Sequence, residues 1–201
     1  MTRPLPERRR PLRLFWMQSG GCGGCTLSLI GAEGPDLLAT FEAANIEVLW
    51  HPSLSEQSGR AVIDIMERII GGEETLDILC LEGSIMRGPN GTGRFHMMAG
   101  TDRPGMDWIS DLAAKAGHVV AVGSCAAYGG ITAAGANEVE ACGLSYDGQK
   151  EGGLLGTDFR SQSGMPVINV AGCPIHPGWL TEMLHMIAAG RFGTSEIDEW
   201  E

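Results

Sequence analysis

With 201 residues, 43% of them hydrophobic and 19% charged, the chain can bury a sizeable core in one domain and is neither disordered by composition nor fibrous. Its 14 basic residues stand against 25 acidic ones, a formal charge of −11 that would repel nucleic-acid phosphates. No apolar run approaches the roughly 18 residues that a membrane-spanning helix requires.

Five of the basic residues fall within the first thirteen: Arg3, Arg8, Arg9, Arg10 and Arg13. That arginine run lacks the apolar stretch and small-residue cleavage site of an export signal. Residues 1–12 are therefore expected to be a basic flexible arm on a cytoplasmic chain, free or peripherally attached to a membrane. A reducing compartment argues against three disulfides among the six Cys and for metal or redox chemistry.

The main domain is expected over 13–191. Short runs rich in Val, Ile and Leu at 13–17, 46–50, 77–81, 118–122 and 166–170 predict strands covered on both faces. Helical spacing over 31–44, 61–70, 105–116 and 177–190 separates them, an alternation that belongs to βαβ units and a parallel sheet. The last helix is expected to place Trp179, Met183, Met186 and Ile187 on one face, with Pro177 near its start and Gly190 near its stop. Two long Gly-rich loops remain, 82–101 and 131–164. Loops of that length are usually functional or interfacial. Their few charges and their Met86, Met97, Met98, Leu144, Leu154 and Leu155 predict an obligate interface above roughly 2,000 Å². Residues 192–201 hold four acids and read as an acidic tail or as the start of a further C-terminal region.

The chemistry follows the strands. After the first comes Gly20-Gly21-Cys22-Gly23-Gly24-Cys25, after the third Glu82-Gly83-Ser84, after the fourth Gly123-Ser124-Cys125-Ala126, and after the fifth Ala171-Gly172-Cys173-Pro174. Right-handed crossovers put all of these at the carboxyl edge of a parallel sheet, so Cys22, Cys25, Cys125 and Cys173 are expected to be neighbours. Four thiolates suit zinc or an iron–sulfur cluster. Structural zinc usually joins two close Cys pairs, whereas Cys125 and Cys173 are solitary, and the Gly-lined surroundings favour a 4Fe–4S cluster. A thioredoxin-type pair at Cys22 and Cys25 would leave the other two unexplained. Cys80, inside a strand, reads as a small buried hydrophobe, and Cys142 has little claim to be a fifth ligand. His118 and His185 read as structural. His51 stands at the same sheet edge, and His176 either lies beneath the cluster or caps the next helix. Glu82, a carboxylate at that edge, must be paired or must move protons.

These segments, with His51-Pro52-Ser53-Leu54 and Pro89-Asn90-Gly91-Thr92-Gly93, resemble the small subunit of nickel–iron hydrogenases, especially its cytoplasmic uptake or sensory branch. The resemblance runs in order from about Leu14 to Gly190. It implies a flavodoxin-like α/β domain holding a proximal 4Fe–4S cluster through Cys22, Cys25, Cys125 and Cys173. It also implies a nickel–iron centre in a separate large subunit, forming an obligate heterodimer or a dimer of heterodimers, and a downstream electron acceptor. On that reading the chain relays electrons from hydrogen oxidation and has no catalytic residue of its own. A hydrogen-sensing small subunit would look nearly identical. The related cluster subunit of NADH–quinone oxidoreductase normally carries adjacent Cys in its first motif. Two departures stand out. Oxygen-tolerant members carry extra Cys where this chain has Gly24 and Gly130, which implies an ordinary 4Fe–4S cluster. Ligands for medial and distal clusters are also missing before Glu201.

Overall fold

In a computed structural model residues 10–191 are described, so most of the basic arm (residues 1–9) and the acidic tail (192–201) lie outside the described residues. Five parallel strands form the central sheet: β1 (Leu12–Gln18), β2 (Ile46–Trp50), β3 (Ile78–Glu82), β4 (His118–Val122) and β5 (Ile168–Val170), in the order β2-β1-β3-β4-β5. That order is the flavodoxin-like one. The helices are α1 (Gly24–Ile30), α2 (Leu37–Ala43), α3 (Arg60–Gly71), α4 (Gly105–Lys115), α5 (Gly123–Tyr128) and α6 (Pro177–Ala188). None of these is long and apolar enough to cross a membrane.

Strand alternation divides the core into two layers. On β1, Phe15 and Met17 face one layer with Val62, Met66 and Ile69 of α3 and Ile109 and Leu112 of α4. Leu14 and Trp16 face the other, with Leu29 of α1, Phe41 of α2, and Leu180 and Leu184 of α6. Both faces of the sheet are thus covered, which is why its strands read as nearly continuous apolar runs. Register aligns Trp16 with Cys80 and Gln18 with Glu82 across β1 and β3, and Val122 with Val170 across β4 and β5. The strand ends therefore share one edge.

Three sequence expectations need correction. The helix expected over 31–44 is α2, shorter than that span and starting only after Pro35 at its Asp36 cap, and nothing in the sequence signalled α1, which begins within the Cys22–Cys25 motif itself. The buried stripe of α6 is Leu180, Met183, Leu184 and Ile187, with spacing i, i+3, i+4, i+7; Trp179 lies off it, 64% exposed. The long loops are more structured than their glycines imply. Ile85–Met86 pairs with Ala141–Cys142, and Tyr146–Asp147 pairs with Lys150–Glu151.

Asp36 caps α2, its Oδ1 accepting the Ala39 N–H at 2.8 Å. Replacing Asp36 by Ala is expected to cost about 1 kcal/mol, read as a lower urea midpoint at unchanged m-value.

Candidate functional site

Cys22 is exposed in the loop after β1, and the Gly24 N–H points to its Sγ at 3.4 Å. Cys25 is half-buried in the first turn of α1, and Cys125 occupies the first turn of α5. Cys173 is exposed after β5. The loops that carry them are tied together. The Ser124 N–H donates to Gly172 O at 2.9 Å, and the Gly172 N–H to Ser124 Oγ at 3.2 Å, which joins the segments of Cys125 and Cys173. Ser28 Oγ donates to Ile175 O at 2.9 Å, which ties α1 to the Cys173 segment.

Glycine makes room for sulfur at two of these positions. A Cβ on Gly123, where φ is +87°, would stand 2.5 Å from Cys25 Sγ. A Cβ on Gly130, where φ is +53°, would stand 2.6 Å from Cys125 Sγ. Neither distance is compatible with a real side chain. Burial raises the Cys25 thiol above the usual range; a hydrogen bond from the Ile175 N–H opposes this, and the charges of Glu82, Cys125 and Cys22 add to it. All six Cys are free. Among the described residues no three His, Cys, Asp or Glu side chains close on a single ion.

Glu82 proves to be fully paired. One oxygen accepts the N–H groups of Cys25 and Thr26, each at 3.1 Å. The other accepts the Thr26 hydroxyl and, at 3.3 Å, the Trp16 indole N–H. Close by, His51 has no exposed surface and packs its ring against Trp16 with centroids 4.9 Å apart. Its Nδ1 accepts the Ser53 N–H at 3.0 Å, so Nε2 carries the proton, and Nε2 has no hydrogen-bond partner. Burial lowers the His51 pKa to about 4, against a smaller opposite effect of Glu82, so the ring is neutral.

The remaining candidates find structural roles. His176 caps α6, its Nδ1 accepting the Gly178 N–H at 3.2 Å. His185 bonds the Thr181 carbonyl, and Cys80 and Cys142 are fully buried in the apolar core. Leu144, Leu154, Leu155 and Met98, expected on an open interface, instead pack into or against the core. Exposed apolar side chains stand on the ligand-bearing segments at Leu27, Tyr128 and Ile131, and in the 82–101 loop at Phe95 and Met97. Beside Cys125 lies a cleft of about 650 Å³ whose lining includes the chain's two tyrosines, Tyr128 and Tyr146, with ring centroids 5.2 Å apart. Sequence reasoning missed this cleft, because nothing in the spacing of 128 and 146 signals their contact.

The sequence profile of the family described as NADH ubiquinone oxidoreductase, 20 Kd subunit, matches residues 22–187. The F420 non-reducing hydrogenase II small subunit of Methanosarcina mazei is 30% identical over 89% of this chain and 49% of its own length. The periplasmic [NiFeSe] hydrogenase small subunit of Desulfomicrobium baculatum is 30% identical over 97% of this chain and 62% of its own length. Among solved structures, the actinobacterial-type NiFe-hydrogenase from Ralstonia eutropha H16 superposes with a TM-score of 0.80 at 29% identity, covering 96% of this chain and 58% of that one. The chain thus spans about half to three-fifths of the length of these relatives.

Proposed function

Because the chain belongs to the family of the NADH ubiquinone oxidoreductase 20 kDa subunit, we propose that it is the electron-relaying small subunit of a nickel–iron hydrogenase, with a 4Fe–4S cluster held by Cys22, Cys25, Cys125 and Cys173. The observation that carries this reading is the carboxyl edge of the sheet, where three strand-end loops supply four free thiols and glycines leave the space beside the sulfurs open. The donor set fits the group: four free thiols, two of them solitary on separate strand-end loops, suit an S4-ligated cluster better than zinc. When bound, such a cluster supplies one-electron redox chemistry.

The chain's own residues do the rest. The positive-φ glycines Gly123 and Gly130 let the backbone of two loops approach the thiols. The Ser124–Gly172 pair of hydrogen bonds holds the segments of Cys125 and Cys173 in register. Exposed Leu27, on the helix of Cys25, and exposed Tyr128 and Ile131, at and just after the helix of Cys125, give apolar surface that suits burial against a large subunit carrying the nickel–iron centre. The crowding of a side chain at 130 supports an ordinary cluster rather than one built with an extra Cys there.

The test is the chain purified with its large partner. Iron and sulfide should be present, and hydrogen should reduce a dye. Cys173→Ser is expected to lower that rate at least tenfold, whereas wild-type activity in the variant refutes the relay. Dye reduction by NADH and not by hydrogen would favour the NADH–quinone oxidoreductase reading. The two Cys outside the ligand set, Cys80 and Cys142, are buried thiols, which suits a reducing compartment and so a cytoplasmic location. Recovery of the chain with periplasmic markers on cell fractionation overturns that part.

A further inference from the structure

α1 begins without a cap of its own. Its N-cap is Gly23, in the αL conformation, with no side chain to accept the first amides. Helices leave those N–H groups unsatisfied, and a side-chain oxygen at the N-cap normally accepts from the second or third helical residue. Here the second and third residues are Cys25 and Thr26, and both N–H groups donate to a single oxygen of Glu82, at the end of β3. The helix is capped from 57 residues away.

The remaining contacts define the state of that side chain. Glu82 is 3% exposed, and its second oxygen receives the Trp16 indole N–H and the Thr26 hydroxyl. Three N–H groups and a hydroxyl converge on the two oxygens, an arrangement that matches an acceptor-only carboxylate rather than a carboxylic acid. A buried negative charge therefore sits against the backbone of Cys25. The same bonds occupy the Cys25 and Thr26 amides, which could otherwise have pointed at sulfur.

Net charge and N–H donors to sulfur are among the factors that set the potential of an iron–sulfur cluster. We propose that Glu82 is a positioning residue that fixes the Cys25 turn and lowers the reduction potential of the cluster bound there; this rests on the cluster reading above. Both effects act in one direction. The carboxylate disfavours an added electron, and its capture of two amides withholds donors that would favour one.

Two variants of opposite sign test this in the complex with the large partner. Glu82→Gln keeps the shape and one accepting oxygen but removes the charge, so the cluster's midpoint potential should move upward with iron content retained. Thr26→Val is nearly isosteric and removes one donor from a carboxylate that stays charged, so the potential should move downward. Both are read by redox titration of the reduced cluster's paramagnetic resonance signal. A purely structural role for Glu82 would not separate the two signs. Unchanged potentials, or shifts in the same direction, in iron-loaded variants overturn the proposal. If Glu82→Gln does not load iron, the Thr26→Val shift decides it alone. A wild-type complex devoid of iron instead defeats the cluster reading, and this inference falls with it.

Discussion

Gly123→Ala is expected to abolish iron loading, while Gly143→Ala is expected to cost the fold itself. At 123 a Cβ would meet the Cys25 sulfur at 2.5 Å, with Gly172 O at 3.4 Å, and φ of +87° is already unfavourable for an L residue. The sulfur sits on a movable side chain and can swing aside, so the main loss is ligand geometry. Stability should fall by only about 1–3 kcal/mol. At 143 the added carbon would stand 2.0 Å from Ala127 O, 2.2 Å from Ala127 C and 2.5 Å from Tyr128 N. Those atoms are backbone at the end of α5, the helix that carries Cys125, and cannot move without displacing it. A loss above about 4 kcal/mol is expected. Gly148→Ala is the control: φ is +63°, but nothing lies within 4 Å, so about 1 kcal/mol is expected. Urea midpoints together with iron per chain separate the three. Normal iron content in Gly123→Ala would contradict the packing described for the site.

Acid should destabilise the protein measurably through His51. Its pKa falls from 6.5 to about 4 on folding because burial penalises the charged ring. The unfolded state then binds a proton below pH 6.5 that the folded state refuses until about pH 4. Stability is therefore fully present above 6.5 and lost as the pH falls through that window, by up to about 3 kcal/mol. His96 and His118 are lowered in the same direction by burial and steepen the loss. His51→Phe keeps an aromatic ring on Trp16 and removes an unpartnered buried N–H, while the Ser53 amide it frees lies on an exposed residue. The variant should match wild type at pH 7 within about 1 kcal/mol. Between pH 6.5 and 4 its unfolding free energy should fall less steeply, by one proton. Parallel slopes in the two proteins would exclude His51 as the source.

The chain's own residues determined the class of fold and the set of candidate ligands. Five apolar runs of strand length, separated by helical spacing, allow little but a parallel sheet covered on both faces, and strand ends in such a sheet share one edge. Cys22, Cys25, Cys125 and Cys173 could thus be grouped before any coordinates were known, because each follows a strand closely. What spacing could not reveal were contacts set by three-dimensional approach. The start of α1 and of α5 was hidden because glycine and cysteine are weak helix formers, and these helices are held by tertiary bonds rather than propensity. Glu82 could be located at the edge, yet whether it was paired depended on the Cys25 and Thr26 amides arriving from another loop. The open faces of Leu144, Leu154 and Leu155 disappeared for a similar reason: a loop rich in apolar residues covers a core as readily as it covers a partner. Periodicity and strand ends are local properties and survive in one dimension, whereas a remote cap, an unpartnered His51 ring nitrogen and a glycine pressed against sulfur exist only once distant segments have packed.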